Sequence, residues 1–162
     1  MDKGGIRGFS HVAFNVVDME RSLAFYCGAL GLEKAFEILI PEDIATLFPG
    51  NPIVALAGKP GIAYLKIGEG AFLELFYPKP DTDLATGGPN FERIGYAHLS
   101  LLVDDIHAAA DRLRSLGIPL DSGPTLGPDH TWQFWIKDPD GNRIELMQYT
   151  ERSLQVVYAA KS

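Results

Sequence analysis

The chain has 162 residues, with 14 basic and 21 acidic side chains, and its net charge of −7 argues against a nucleic-acid partner or a polybasic membrane surface. Apolar residues make up 46% and charged residues 22% of the chain, which is typical of a folded globular protein. The single cysteine excludes a disulfide-rich scaffold, and the apolar stretches are shorter than the roughly 18 residues of a membrane span, so we expect a cytoplasmic protein.

An internal repeat is the main feature of the sequence. Residues 11–18 (HVAFNVVD) resemble residues 98–105 (HLSLLVDD) at an offset of 87. Residues 64–76 resemble residues 134–147, with Glu74 and Glu145 at an offset of 71, because the first copy carries an insert at 37–62. The repeat predicts one domain over 1–162, built of two modules with pseudo-twofold symmetry. The expected parts are the modules at about 9–77 and 94–150, a linker at 78–93 and a C-terminal tail at 151–162.

Each module begins with an expected strand and helix. Residues 9–17 and 97–103 alternate between apolar and polar side chains, which indicates half-buried strands. Asp18 in the first copy, and Asp104 or Asp105 in the second, stand where a helix N-cap is expected. Apolar residues then recur at helical spacing up to a Leu-Gly pair in each copy. The predicted stripes are Met19, Leu23, Cys27 and Leu30, and Ile106, Ala109, Leu113 and Leu116.

A hairpin is expected to complete each module. Turn residues at 68–70 and 138–141 lie between apolar runs in the two copies. The insert predicts a short helix ending near Phe48, and the apolar residues of the tail are expected to dock on the body or on a partner. Two β-α-β-β-β units with mixed sheets give the fold class α+β.

Four polar residues occupy matched positions in the two copies. His11 and His98 lie in the repeated strands, and Glu74 and Glu145 interrupt the apolar runs of the repeated hairpins. A buried carboxylate is usually paired or bound to a metal, and two imidazoles with two carboxylates suit a divalent cation. Taken singly, such a Glu is also typical of an edge residue facing water, and such a His of a hydrogen-bonded core residue.

The sequence resembles the vicinal oxygen chelate superfamily (glyoxalase, bleomycin resistance and extradiol dioxygenase proteins) over about residues 9–150. The motifs that carry the resemblance lie at 11–18, 22–31 (SLAFYCGALG), 72–76 (FLELF), 95–105 (GYAHLSLLVDD) and 137–146 (KDPDGNRIEL). The resemblance implies paired βαβββ modules that form a half-open mixed barrel around a metal. It also implies a set of metal ligands: His11, Glu74, His98 and Glu145.

A complete set of four ligands is closest to glyoxalase I, the lactoylglutathione lyase type. The resemblance therefore implies a lyase or isomerase that moves a proton through a metal-stabilised enediolate of a small oxygenated substrate, such as an α-ketoaldehyde–thiol hemithioacetal. It implies Ni²⁺ or Co²⁺ as the favoured metal, with Zn, Mn or Fe as alternatives, and a homodimer. Glu145 is the expected proton carrier, with Glu74 as the symmetric alternative.

Two positions depart from the glyoxalase I pattern. That family usually has an arginine four residues after the first ligand, where it holds a glutathione carboxylate, and an asparagine four residues after the first Glu. Here these positions are Asn15 and Pro78. Because Asn15 lacks the charge of an arginine, the pattern predicts altered recognition of the thiol. Asn15, Met147 and Tyr149 are the expected substrate-binding residues.

Two other functions are compatible with the superfamily. One is a metal-free protein that sequesters an antibiotic or another small molecule, and the filled ligand positions argue against it. The other is an iron-dependent extradiol-type dioxygenase, which would use a three-residue ligand set and leave Glu74 unused.

Overall fold

The computed structural model describes residues 8–80 and 95–160, which fall into two compact units on either side of segment 81–94. Most of the expected linker 78–93 therefore lies outside the described residues. Each unit is considered by itself. No helix in the described ranges is long and apolar enough to cross a bilayer.

The first unit holds a four-stranded mixed sheet with strand order β1-β4-β3-β2. β1 is parallel to β4, whereas the β4–β3 and β3–β2 pairs are antiparallel. The elements in chain order are β1 (His11–Asn15), α1 (Met19–Leu23, continued by π-helical turns over Ala24–Ala29), β2 (Glu33–Leu39), α2 (Ile44–Leu47), a 3₁₀ helix (Pro52–Leu56), β3 (Pro60–Gly68) and β4 (Ala71–Phe76).

The second unit repeats this topology, with a four-stranded sheet in the order β5-β8-β7-β6. β5 is parallel to β8, and the remaining pairs are antiparallel. The predicted α+β class and the β-α-β-β-β order of both units are therefore confirmed. The elements are β5 (Leu99–Leu102), α3 (Ile106–Ser115), β6 (Ser122–Leu126), β7 (Trp132–Lys137), β8 (Arg143–Gln148) and α4 (Leu154–Ala159).

One face of each sheet is aliphatic and buried. In the second unit α3 packs against β6, β7 and β8 and covers this face. Successive side chains of a strand point to opposite faces, so the polar residues between the aliphatic ones share the other face. The buried aliphatic and aromatic positions are Phe14, Ala63, Leu65, Leu73 and Leu75 in the first unit, and Leu99, Phe134, Ile136, Ile144 and Leu146 in the second.

The helix boundaries follow the expected capping chemistry. Asp18 accepts a hydrogen bond of 3.0 Å from a backbone amide in the first turn of α1. Asp105, rather than Asp104, caps α3 and accepts from two amides at 2.9 Å each. Gly31 and Gly117 follow the two helical segments with φ of 78° and 75°, left-handed values that favour glycine. The sequence thus predicted where each helix begins, and the structure selects Asp105 from the two candidates in the second copy.

The predicted apolar stripe of the first helix is wrong after its first residue. Leu23, Cys27 and Leu30 are only half-buried, whereas Phe25 and Tyr26 are buried. For Cys27 and Leu30 the cause is the π-helical stretch over Ala24–Ala29, in which the Leu30 amide bonds the Phe25 carbonyl five residues earlier, at 3.0 Å. A wider turn rotates the following side chains away from the positions of an α-helix.

The second stripe is correct in part. Ile106 and Leu113 are buried as predicted, but Ala110 is buried in place of Ala109, which is half-buried. Leu116 follows the last turn of α3 and is 54% exposed. The strands are also shorter than predicted, because the ladders begin at position 11 rather than 9 and at position 99 rather than 97.

The insert has a small core of its own. Ile40, Ile44 and Leu56 are buried together, and half-buried apolar neighbours pack against them. The predicted short helix is present as α2, and Phe48 follows it with 56% of its surface exposed. The part of the insert outside the sheet is residues 40–59, because β2 extends to position 39 and β3 begins at position 60.

The C-terminal tail is anchored by polar contacts. The buried Ser153 hydroxyl lies 3.0 Å from the Thr131 hydroxyl and donates to the carbonyl of His130 at 3.1 Å. Gln155 donates to Asp129 at 2.8 Å, and its amide lowers the pKa of that carboxyl. The apolar residues of α4 remain exposed: Leu154, Val156, Val157 and Tyr158.

Candidate metal centre

The first unit pairs His11 with Glu74 on the polar face of its sheet. Ala13 is the register partner of Glu74 across the β1–β4 ladder, so His11, two residues earlier on the same face, is a diagonal neighbour of the carboxylate. His11 Nε2 lies 3.2 Å from Glu74 Oε2. The Glu74 side chain is only 9% exposed and that of His11 is 42% exposed, so the imidazole lies at the open side of the pair.

The second unit reproduces this arrangement with His98 and Glu145. Ser100 is the register partner of Glu145 across the β5–β8 ladder, and His98 again stands two residues earlier. His98 Nε2 lies 3.4 Å from Glu145 Oε2, and the carboxylate side chain is again 9% exposed. The four predicted residues therefore form two His–Glu contacts, one within each unit, at equivalent register.

An aromatic residue flanks each carboxylate on its other side. Tyr64 on β3 is the register partner of Glu74, and Trp135 on β7 is the register partner of Glu145. The Tyr64 hydroxyl donates to Glu74 Oε1 at 2.9 Å. Burial and the neighbouring carboxylate raise the pKa of Tyr64, so this hydroxyl stays a donor at neutral pH.

Trp135 packs against the histidine of its pair, whereas Tyr64 bonds the carboxylate. Its ring meets His98 edge-on, with centroids 4.8 Å apart, and Arg143 lies 4.6 Å from the Trp135 centroid. His98 Nδ1 is buried and has no hydrogen-bond partner among the described residues. His11 Nδ1 differs, since the Ser10 hydroxyl lies 3.2 Å from it. Ring packing therefore orients His98, and a hydrogen bond orients His11.

Each His–Glu pair fits two neighbouring ligands of one divalent metal. Ligands bonded at 2.0–2.2 Å stand about 3 Å apart around such an ion, which is close to the observed separations of 3.2 and 3.4 Å. An imidazole that binds through Nε2 usually has its Nδ1 oriented by a neighbour, as Ser10 does for His11. Without a metal, each contact places an imidazole nitrogen and a carboxylate oxygen within ion-pair distance.

The described residues bring together no group of three or more His, Cys, Asp or Glu side chains suited to a metal. Each unit by itself therefore offers two ligands. The predicted four-ligand set needs one pair from each unit, and it stays a prediction.

The expected substrate residues lie on the polar faces or at their ends. Asn15 is the last residue of β1, and its amide oxygen lies 3.2 Å from Lys79 Nζ. Met147 stands on β8 two residues after Glu145, on the same face, and is half-buried. Tyr149 is one residue beyond β8 and 39% exposed, so strand alternation does not determine its direction.

Sequence reasoning missed several residues of the site. Tyr64 and Trp135 are separated by the same offset of 71 as Glu74 and Glu145, so alignment of the repeated hairpins would have identified both. Ser10 precedes the first proposed ligand and lies outside the repeated segment 11–18, so comparison of the two copies did not indicate it. Lys79 follows β4 in a proline-rich stretch, where no periodicity indicates the direction of a side chain.

Comparison with known proteins supports the resemblance. Residues 8–146 match the Glyoxalase/Bleomycin resistance protein/Dioxygenase superfamily. A probable lactoylglutathione lyase from Synechocystis is 29% identical over 144 residues, 88% of this chain and 95% of that relative. A 2-epi-5-epi-valiolone epimerase from Actinomyces is 31% identical over 147 residues, 85% of this chain and 76% of the relative.

A solved structure extends the match to the fold. The crystal structure of a superfamily member from Sphaerobacter thermophilus has a TM-score of 0.60 and 25% identity, and the match covers 89% of this chain and 98% of that one. The sequence match alone spans most of both repeated modules. This chain belongs to the glyoxalase/bleomycin resistance protein/dioxygenase superfamily.

Proposed function

We propose that this protein is a divalent-metal-dependent lyase or isomerase of the glyoxalase I type. One observation carries the proposal: a buried glutamate contacts a histidine on the polar face of each sheet, at equivalent register. Relatives named as a lactoylglutathione lyase and as an epimerase support an enzymatic role. The proposed substrate is a small molecule with two adjacent oxygens, such as the hemithioacetal of an α-ketoaldehyde and a thiol.

His11, Glu74, His98 and Glu145 would hold the metal together, in the half-open barrel that the family resemblance implies. Two carboxylates and two neutral imidazoles balance the charge of a divalent cation, and this N,O set suits Ni²⁺ or Co²⁺ as well as Zn, Mn or Fe. When bound, the metal supplies Lewis-acid stabilisation of the negative charge that develops on the substrate oxygens.

Glu145 is the proposed proton carrier. Glu74 is fixed by the hydroxyl of Tyr64 as well as by its histidine, whereas the polar contact of Glu145 within the described residues of its own unit is His98. A carboxylate held by fewer hydrogen bonds turns more readily toward a substrate C–H and away again. Glu145 would thus take a proton from one carbon of the substrate and return it to the adjacent carbon.

Substitution of the two glutamates tests this assignment. We expect Glu145→Gln to keep the bound metal, because the amide oxygen remains a ligand, and to lose about 100-fold or more of kcat, because an amide accepts no proton. Glu74→Gln is the matched control, and its kcat is expected to fall less. An active Glu145→Gln enzyme would sink the assignment.

Metal analysis of the protein purified without added metal separates this function from its alternatives. Nickel, cobalt or zinc, with consumption of a methylglyoxal–thiol adduct, supports the proposed lyase. Iron with oxygen consumption supports a dioxygenase instead. Absence of bound metal and of metal-stimulated turnover supports a protein that only sequesters small molecules.

A further inference from the structure

A pocket in the second unit shares no residue with the candidate metal centre. Its volume is about 340 Å³. Pockets for small molecules typically enclose about 300–1,000 Å³, so this one suits a ligand of modest size. The residues that line it come from the end of β6, the turn before β7, the start of β7 and the segment after β8: Leu126, His130, Trp132, Thr150, Glu151 and Arg152.

Strand alternation separates this pocket from the His98–Glu145 pair. Trp135 is the register partner of Glu145, and Trp132 stands three residues earlier on β7, so the two tryptophans point to opposite faces of the sheet. The Trp132 ring meets the His107 ring of α3 with centroids 5.2 Å apart. Since α3 covers the aliphatic face, Trp132 contributes to the pocket from the side of the sheet opposite Glu145.

Hydrogen bonds between two chain segments hold the walls of this pocket in place. The His130 carbonyl accepts from the Thr150 hydroxyl at 2.8 Å and from the Ser153 hydroxyl at 3.1 Å. The Leu154 amide donates to the Asp129 carbonyl at 3.0 Å. These bonds join the turn before β7 to the segment after β8, which together carry most of the lining residues. A pocket whose walls are already fixed loses little free energy of ordering when a ligand binds.

The lining combines one positive charge, one negative charge and an apolar surface. Within the described part of the chain, neither Arg152 nor Glu151 takes part in an ion pair, so both charges are available to a ligand. Leu126 is exposed and Trp132 is half-buried, and they supply the apolar surface. A simple anion would be repelled by Glu151 and a simple cation by Arg152, so the lining favours a ligand with both charges.

We propose that this pocket binds a free α-amino acid with an apolar side chain, an inference that goes beyond the proposed lyase function and does not depend on it. Arg152 binds the carboxylate, because a guanidinium can donate two parallel N–H bonds to that group. Glu151 binds the ammonium group. Leu126 and Trp132 contact the apolar side chain, to which an aromatic ring offers a large flat surface.

Three probes that share a phenyl group test the requirement for both charges. They are L-phenylalanine, 3-phenylpropanoate, which lacks the ammonium group, and 2-phenylethylamine, which lacks the carboxylate. Calorimetry measures their binding to the full chain after treatment with a chelator and dialysis, so that no amino acid is held through a metal. L-phenylalanine is expected to bind about tenfold more tightly than either other probe, the value of a charged hydrogen bond. Absence of L-phenylalanine binding, or equal binding of either other probe, would overturn the proposal.

Substitution of the two charged residues tests their roles. Arg152→Met and Glu151→Gln each remove one charge and are each expected to weaken L-phenylalanine binding about tenfold. Arg114→Met is the matched control, because Arg114 pairs with Asp111 on α3 at 2.9 Å and does not line the pocket. An equal loss in Arg114→Met, or wild-type binding in Arg152→Met, would contradict the assignment.

Tryptophan fluorescence locates the bound ligand. The chain has two tryptophans, at 132 and 135, and they point to opposite faces of the second sheet. With excitation where phenylalanine does not absorb, we expect L-phenylalanine to change the emission of Trp135→Phe, which keeps Trp132, and to leave that of Trp132→Phe unchanged. The reverse result would place the ligand on the face of Glu145 and overturn the proposed pocket.

Discussion

Tyr64 and Trp135 occupy equivalent positions in the two sheets but act on different members of the neighbouring pair. Tyr64 donates to the carboxylate of Glu74, whereas Trp135 packs against the imidazole of His98. Side chains at equivalent backbone positions thus make different contacts, and the two His–Glu pairs are not interchangeable. This asymmetry is the structural basis for assigning different roles to Glu74 and Glu145.

Removal of the Tyr64 hydroxyl tests its role as a positioning group. We expect Tyr64→Phe to weaken metal affinity about tenfold, because the partners that orient a ligand typically contribute 10- to 100-fold. Competition with a chelating indicator measures this affinity. Tyr77→Phe is the control, since its hydroxyl donates to Glu37 at 2.7 Å outside the candidate centre. Equal losses of affinity in both variants would show a general effect on the unit instead.

The two His–Glu pairs consist of residues that the sequence singled out, whereas it gave no indication of the neighbours Ser10 and Lys79. His11, Glu74, His98 and Glu145 stand out because polar residues interrupt apolar runs twice at matched positions. The contact between Lys79 and Asn15 joins residues 64 positions apart and depends on the course of the chain after β4. Such a contact has no local signature, and only the folded sheet reveals it.

Capping residues show how short-range sequence signals determine the elements. Asp104 and Asp105 are adjacent carboxylates, and only Asp105 accepts from the amides of α3. The pattern predicted a cap at this place without choosing between them. The π-helical turns after α1 had no such signal, since the residues 24–29 (AFYCGA) are compatible with an ordinary helix. Helix ends were thus easier to predict than the face that the first helix buries.

The two neighbouring aspartates give a matched test of the cap. We expect Asp105→Ala to lower the free energy of unfolding by about 1 kcal/mol, the usual contribution of an N-cap. Asp104→Ala is expected to change it by less than about 0.5 kcal/mol, as for an ordinary surface substitution. Urea unfolding followed by circular dichroism measures both. A larger loss in Asp104→Ala would contradict the assigned cap.

At the scale of the whole molecule, duplication gives each unit half of the proposed ligand set. Each sheet buries its aliphatic face and keeps one His–Glu pair on the other. Two ligands bind a metal far more weakly than four, because each added ligand bonds an ion that is already held in place. If the four residues hold one ion, metal binding would depend on both halves of the chain. Such a dependence is expected of one centre that uses both pairs, and not of two centres that use one pair each.

Metal stoichiometry decides between these arrangements. One shared centre predicts a single equivalent of Ni²⁺ per chain and a thermal stabilisation of about 2.7 kcal/mol when free metal is at 100 times its Kd. His11→Ala and His98→Ala should then each lose most of this stabilisation, since either change removes a ligand from the same ion. Elemental analysis after gel filtration and thermal unfolding with added metal provide the two measurements.

His107→Ala serves as the control. His107 lies at an exposed position of α3, so this variant should still bind a single equivalent of Ni²⁺. Two equivalents in the wild type, with one retained in each of His11→Ala and His98→Ala, would mean that the pairs bind metal independently.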